Sequence, residues 1–109
     1  LGRESSAFGY AQALDGTWAD YKKSTGRSIA RRSSIRDSTD FMGWYMTKTR
    51  KLTGVSLSDA KNQYLAYHEG QVGYKKGSYK RKQWLIKKAN NVQNRSLNYK
   101  RQLASCIRT

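Results

Sequence analysis

The chain has 109 residues, with 22 Lys plus Arg against 7 Asp plus Glu, a formal net charge of +15, one His, one Cys and no Pro. That length holds one domain at most, and a hydrophobic fraction of 37% that includes three Trp, eight Tyr and two Phe supplies a lean aromatic core, unlike a disordered tail. No apolar run approaches the roughly 18 residues of a membrane span, and Leu1-Gly2-Arg3-Glu4 does not read as a signal peptide, so no transmembrane segment is expected.

The charge is uneven. All seven acids lie at or before Glu69, and eleven Lys and Arg follow Gly70 without an acid among them. Such a block creates a long-range positive field that favours polyanions: nucleic acid, acidic envelope polymers or anionic headgroups. A passive, solvated helix face reads the same way. Cys106 is alone, closes no disulfide within this sequence and leaves the redox compartment open.

In chain order, Ala7-Phe8-Gly9-Tyr10-Ala11-Gln12 suits a tight turn or short strand. Asp15 as N-cap, Trp18, Tyr21 and a stop at Gly26 predict a short helix, followed by a Ser- and Arg-rich loop over 27–36. From Asp37, the row Phe41, Tyr45, Lys48, Leu52 with the parallel row Met42, Met46, Thr49 predicts a helix ending at Gly54. Leu57, Ala60, Tyr64 and Tyr67 behind a Ser56 or Ser58 cap predict another, closed by Gly70 with His68 and Glu69 at its C-terminal end. Gly70, Gly73 and Gly77 then read as a loop. The seam Leu85, Ala89, Val92, Ser96, Tyr99, Leu103, Cys106 predicts a long basic helix over about 79–106. The expectation is a mainly α fold of about four helices, with a short turn or strand element near the start and no internal repeat.

Two stretches carry a resemblance: Ser6-Ala7-Phe8-Gly9-Tyr10-Ala11-Gln12-Ala13-Leu14-Asp15-Gly16-Thr17-Trp18, and Tyr64-Leu65-Ala66-Tyr67-His68-Glu69-Gly70 followed by Gly73-Tyr74-Lys75-Lys76-Gly77-Ser78-Tyr79. Together they resemble the soluble-lytic-transglycosylase-like family, in particular its small lipoprotein branch. Gly9-Tyr10-Ala11-Gln12 is similar to the family's Gly-Leu-Met-Gln-type turn, and Ala66-Tyr67-His68-Glu69-Gly70 to its Ala-Tyr-Asn-Ala-Gly-type motif. The likeness continues through Phe41-Met42-Gly43-Trp44-Tyr45 and Lys82-Gln83-Trp84-Leu85 to Cys106.

The resemblance implies a lysozyme-like, mostly helical domain over 1–109, forming the C-terminal portion of the family's fold. Its implied activity is cleavage of peptidoglycan glycan strands between N-acetylmuramic acid and N-acetylglucosamine, with 1,6-anhydro products. One carboxyl suffices: it protonates the glycosidic oxygen and then accepts a proton from the sugar's 6-hydroxyl, with no second carboxylate of the kind ordinary retaining glycosidases use. In the family this Glu lies upstream of the turn, in a Glu-Ser-Ser-Phe-like context, and the sequence begins after it. Glu4, in Arg3-Glu4-Ser5-Ser6, copies that context, yet only four residues separate it from Gly9, too few to finish a helix and enter the turn. Glu69 is the other candidate, at a position where the family has a small residue; a carboxylate that caps, pairs with a Lys or lines a rim is the alternative there. An acid from an upstream segment of the same polypeptide is the third and favoured reading, and the same segment would hold a partner for Cys106.

Among the other positions, Tyr67 resembles the tyrosine that hydrogen-bonds the catalytic carboxyl, with a core tyrosine as the alternative. Gln12 resembles the glutamine that donates to a sugar N-acetyl group, with a mere turn glutamine as the alternative. His68 stands where Asn is usual, and as the only His it has no partner for a zinc site, so no metal or cofactor is expected. Tyr10, Tyr74 and Tyr79 could offer flat faces to sugar rings or simply fill the core, and Gly70 completes the second motif. Three functions compete: an enzyme remodelling the wall for an envelope-spanning assembly, a non-catalytic wall-binding module of a secretion or conjugation apparatus, and nucleic-acid binding by the basic C-terminal region. The last leaves the Gly-Tyr-Ala-Gln stretch unexplained. The resemblance implies a periplasmic protein, with outer-membrane association through an N-terminal lipid anchor upstream of these residues.

Overall fold

The structure, a computed structural model, describes residues 7–9 and 11–108, the side chains of 103 and 106–108 excepted. The order is a bridged turn at Phe8 and Ala13, then α1 (Asp15–Thr25), α2 (Ile35–Thr53), α3 (Ala60–Glu69), α4 (Gln71–Lys76), a 3₁₀ turn (Ser78–Arg81) and α5 (Gln83–Arg108). Among the described residues the mainly α expectation holds, with one α-helix more than the four expected. The chain divides into two compact units, up to Lys48 and from Thr49.

In the first unit, Gly26 ends α1 as predicted, in the left-handed conformation (φ 72°). The N-terminus differs: Leu14 is the capping residue and makes no side-chain cap bond. Asp15 is instead the first helical residue and its carboxylate meets Arg32 Nη1 at 2.7 Å. An acid in the first turn suits the helix dipole. α2 starts two residues before the predicted Asp37, because Ser34 Oγ accepts from Asp37 N at 3.2 Å, a capping bond for an otherwise unpaired donor. The core is aromatic. Trp18, Tyr21 and Phe41 are buried with ring centroids 5.0 to 5.4 Å apart, and Trp44 and Tyr45 close the cluster around Phe41. Such tilted and edge-on pairs add about 0.5–1.5 kcal/mol each beyond the area they bury.

The buried stripe of α2 is Ser38, Phe41, Tyr45 and Thr49, while the predicted Leu52 is exposed. The stripe turns toward Thr49 because its hydroxyl accepts from Gln71 Nε2 at 3.0 Å. In the second unit Leu65, Leu85 and Ala89 form the core, with Tyr64, Tyr74 and Tyr79 packed against it. Neither Ser56 nor Ser58 caps α3. Asp59 does, accepting from Asn62 N at 3.0 Å, and Leu57 lies outside the helix, exposed. A carboxylate outdoes a hydroxyl at this end because its full charge also meets the helix dipole.

The predicted loop of glycines is a helix and a turn. α4 fits between Gly70 (φ 78°) and Gly77 (φ 76°), and Gly73 lies inside it. A Cβ on Gly73 would stand 3.1 Å from Ser78 Oγ, so the glycine there admits the serine. The long C-terminal helix starts at Gln83, not about 79, since 78–81 winds as 3₁₀. Its seam is buried at Leu85 and Ala89 and half-buried at Val92, but Ser96 and Tyr99 are exposed. The predicted seam positions Leu103 and Cys106 lie outside the described side chains. Among the described residues no helix is long and apolar enough to cross a membrane.

Candidate functional site

The turn at residues 8–13 is built around one oxygen and one missing side chain. Phe8 N donates to Ala13 O at 3.1 Å, and Gln12 donates to Gly9 O twice, from its backbone N at 3.1 Å and from Nε2 at 2.9 Å. Gln12 holds φ at 52°, a left-handed conformation that side-chain-bearing residues seldom adopt and that clusters at functional positions. Gly9 is forced: φ is 82°, and an added Cβ would lie 1.9 Å from Arg32 O.

Arg32 clamps this turn from the loop before α2. Its guanidinium donates to Ala13 O at 3.0 Å, pairs with Asp15 at 2.7 Å and lies over the Phe8 ring at 5.2 Å. In the sequence Arg32 is one of several cations in a Ser- and Arg-rich stretch. Nothing local distinguishes it from Arg31, because its partners are seventeen to twenty-four residues upstream.

The end of α3 holds a carboxylate node. Glu69 is 3% exposed at its side chain, covered by its own partners rather than by depth in the core. Lys82 Nζ donates to Oε2 at 2.8 Å, Ser78 Oγ to Oε1 at 2.7 Å, and His68 Nδ1 lies 2.9 Å from Oε2. The ammonium of Lys82, then the Ser78 hydroxyl, hold this carboxyl down to about 2. It is ionised at neutral pH and has no proton to give. Asp40 is also held down, first by the Tyr21 hydroxyl at 2.6 Å and then by Arg27. A general acid needs the opposite displacement.

Gln12 is exposed on the turn of the first unit, while Tyr67, His68, Glu69, Gly70 and Tyr74 belong to the second. Tyr67 is half-buried on α3. His68 and Glu69 are brought together by their hydrogen bond. Gly70 joins α3 to α4 in a conformation suited to glycine (φ 78°, ψ 156°), its carbonyl accepting from Tyr74 N. Tyr74 stacks on Tyr79 (5.2 Å, 18°) and donates from its hydroxyl to Asn62 Oδ1 at 2.9 Å. That ring is engaged in packing. Glu4 and Tyr10 lie outside the described residues. Among the described residues, no group of three or more His, Cys, Asp or Glu is placed to hold a metal ion.

Helices stopped by glycines, a glutamine turn at positive φ and the Tyr-His-Glu-Gly helix end are the features of a mainly α protein that the sequence resemblance singles out. The transglycosylase SLT domain family matches residues 1–106, and the chain belongs to that family. Membership carries a lytic-transglycosylase type of function, directed at peptidoglycan. Comparison with curated proteins and with solved structures gives no match.

Proposed function

We propose that the chain works in a peptidoglycan lytic transglycosylase that cuts the bond between N-acetylmuramic acid and N-acetylglucosamine and leaves a 1,6-anhydro end. The family match over residues 1–106 carries this reading. In the reaction one carboxyl gives its proton to the glycosidic oxygen as the C1–O bond breaks. The resulting carboxylate takes the proton of the same sugar's 6-hydroxyl, whose oxygen then closes on C1. No water is consumed and the carboxyl is regenerated.

In this reading Gln12 presents its amide to a sugar N-acetyl group. Its Nε2 carries two hydrogens and the bond to Gly9 O uses one. Tyr67 hydrogen-bonds the catalytic carboxyl. Glu69 serves as an ionised structural anchor, and the proton donor is Glu4 or a glutamate upstream of Leu1, where the resembling family carries it. The protein acts in the periplasm, lipid-anchored at the outer membrane, and opens the wall for an envelope-spanning assembly.

The test is incubation with purified sacculi and mass spectrometry for 1,6-anhydromuropeptides, with the chain alone and with its native upstream residues. Release by the longer form, sharply reduced by Tyr67→Phe, supports the assignment; unchanged activity of that variant refutes the role of Tyr67. A non-catalytic wall-binding module is the second reading, favoured by the engagement of both Asp40 and Glu69 by a cation and a hydroxyl, which leaves neither placed as a proton donor. Sedimentation with sacculi without any anhydro product would establish it.

A further inference from the structure

In the motif Lys82-Gln83-Trp84-Leu85, Lys82 holds Glu69 and Leu85 packs in the core. Leu85 is fully buried, whereas Trp84 beside it is 54% exposed. The other two tryptophans, Trp18 and Trp44, sit in the aromatic cluster of the first unit. An exposed indole is the exception in this protein and needs a reason, since Trp has the largest face to lose to water.

The indole is also braced. His68 meets it edge-on, with centroids 5.4 Å apart and planes at 79°. That imidazole is in turn hydrogen-bonded to Glu69, which Lys82 and Ser78 hold in place. Around Trp84 an open pocket is lined by Gln83, Ile86, Lys87 and Asn90. Gln83, Lys87 and Asn90 stand at i, i+4 and i+7, one row of the α5 surface, with Trp84 on one flank and Ile86 on the other.

We infer that Trp84, with Gln83, Lys87 and Asn90, forms a sugar subsite on the first turns of α5 that takes an N-acetylated hexosamine ring bearing a carboxylate substituent. The chemistry fits part by part. A pyranose ring has a face of C–H groups whose positive edge suits the negative face of an indole. Primary amides at 83 and 90 offer both a donor and an acceptor to N-acetyl and hydroxyl groups. Lys87 supplies a point charge for a carboxylate of the lactyl-peptide arm, in a region that carries no acid after Glu69. A nucleobase would also stack on an indole, but the pocket lining of two amides and one Lys suits a single carboxylate on an N-acetylated sugar better than a run of phosphates. His68 is a positioning residue here, acting through the indole.

The inference rests on the peptidoglycan reading above, and the experiment separates the two. Wild type, Trp84→Ala, Trp84→Phe and Lys87→Glu are compared for sedimentation with purified sacculi and for calorimetric binding of tetra-N-acetylchitotetraose, with intrinsic fluorescence read in the wild type. In the wild type, the neutral sugar should shift the emission to the blue and protect the fluorophore from acrylamide. Trp84→Ala should weaken both kinds of binding about tenfold, with Phe recovering most of it. Lys87→Glu should weaken binding to sacculi and leave the neutral sugar unaffected. His68→Ala should weaken both a few-fold and His68→Phe restore them, a recovery that loss of folding would not give. Wild-type binding with an undiminished Trp84→Ala variant overturns the subsite alone. Failure of the wild type to sediment overturns the peptidoglycan reading with it. Tight oligonucleotide binding that needs Trp84, without sugar binding, also overturns it.

Discussion

Gly9 and Arg32 are packed so closely that a Cβ on the glycine would lie 1.9 Å from the arginine's carbonyl oxygen, at a φ of 82° that side chains avoid. Gly9→Ala therefore meets two obstacles at once, a backbone clash and a left-handed conformation. It should cost at least about 2 kcal/mol in the stability of the first unit, read by denaturant unfolding followed through tryptophan fluorescence. Gly16→Ala is the control: nothing lies within 4 Å of its added Cβ, and alanine favours the helix by about 1 kcal/mol.

Arg32→Ala removes the clamp from the other side. Two hydrogen-bonded contacts, to Ala13 O and to Asp15, and the cation over Phe8 disappear together. The guanidinium is partly exposed, so the loss should be modest, about 1–2 kcal/mol. Amide exchange at Phe8 and Gln12, whose backbone bonds close the turn, should rise more than exchange within α1. Equal rises would mean that Arg32 supports the unit and not the turn.

These two residues mark where the sequence was legible and where it was not. The glycine stops at 26, 54 and 70 were readable because a left-handed or otherwise positive φ is a local property. The aromatic row at 41 and 45 was readable because period alone places it. Arg32 was not, because its partners come from the turn and from α1. The helix at 71–76 was hidden for a similar reason. Three glycines are poor helix formers, and α4 persists because Tyr74 packs on the core and Ser78 closes over Gly73. Glu69 could be placed at a helix end, but the Ser78 and Lys82 contacts that fix its charge lie nine and thirteen residues on. Leu52 and Leu57 fit helical rows yet are exposed: a row predicts a face and does not say how far its cover extends.

Tyr21 gives a prediction at high pH. Burial, reinforced by the bond to Asp40, pushes its hydroxyl up to about 12 from 10.0. The folded state thus keeps a proton that the unfolded chain releases, so this contribution is complete below pH 10 and is lost as the pH rises toward 12. Tyr21→Phe should flatten the fall in stability across that window. The same variant removes the 2.6 Å hydrogen bond to Asp40, and should cost about 1–2 kcal/mol at neutral pH. A wild-type profile that matches the variant between those limits would show that the Tyr21 hydroxyl titrates as in the unfolded chain.

Leu85→Ala tests the second unit in isolation. Leu85 is fully buried against Leu65 and Ala89, and truncation should cost about 2–5 kcal/mol, depending on how far the site collapses. Trp84→Ala, one residue earlier and half in solvent, should cost less, about 1–2 kcal/mol, since the edge-on contact with His68 and only part of the indole's cover are lost. The contrast between neighbours separates a residue retained for packing from one retained for what it meets outside the fold.

Glu69 decides the pH behaviour at the acid end and bears on the chemistry. Its carboxyl is held at about 2 against 4.5 for the ordinary group, chiefly by Lys82 and then by Ser78. The folded state therefore binds its proton less readily than the unfolded chain. The stabilisation is complete above pH 4.5 and lost as the pH falls toward 2. Glu69→Gln removes the charge while keeping the shape, and should cost about 1.5–3 kcal/mol at neutral pH and remove most of the acid sensitivity over that interval. If Glu69 were instead the proton donor, the Gln variant would abolish cleavage of sacculi by the complete protein at unchanged stability. As a structural anchor it should lower stability and leave the pH dependence of kcat in place, because the group that titrates during turnover is another carboxyl. Stability profiles and pH–rate profiles of the same variant thus separate the two roles.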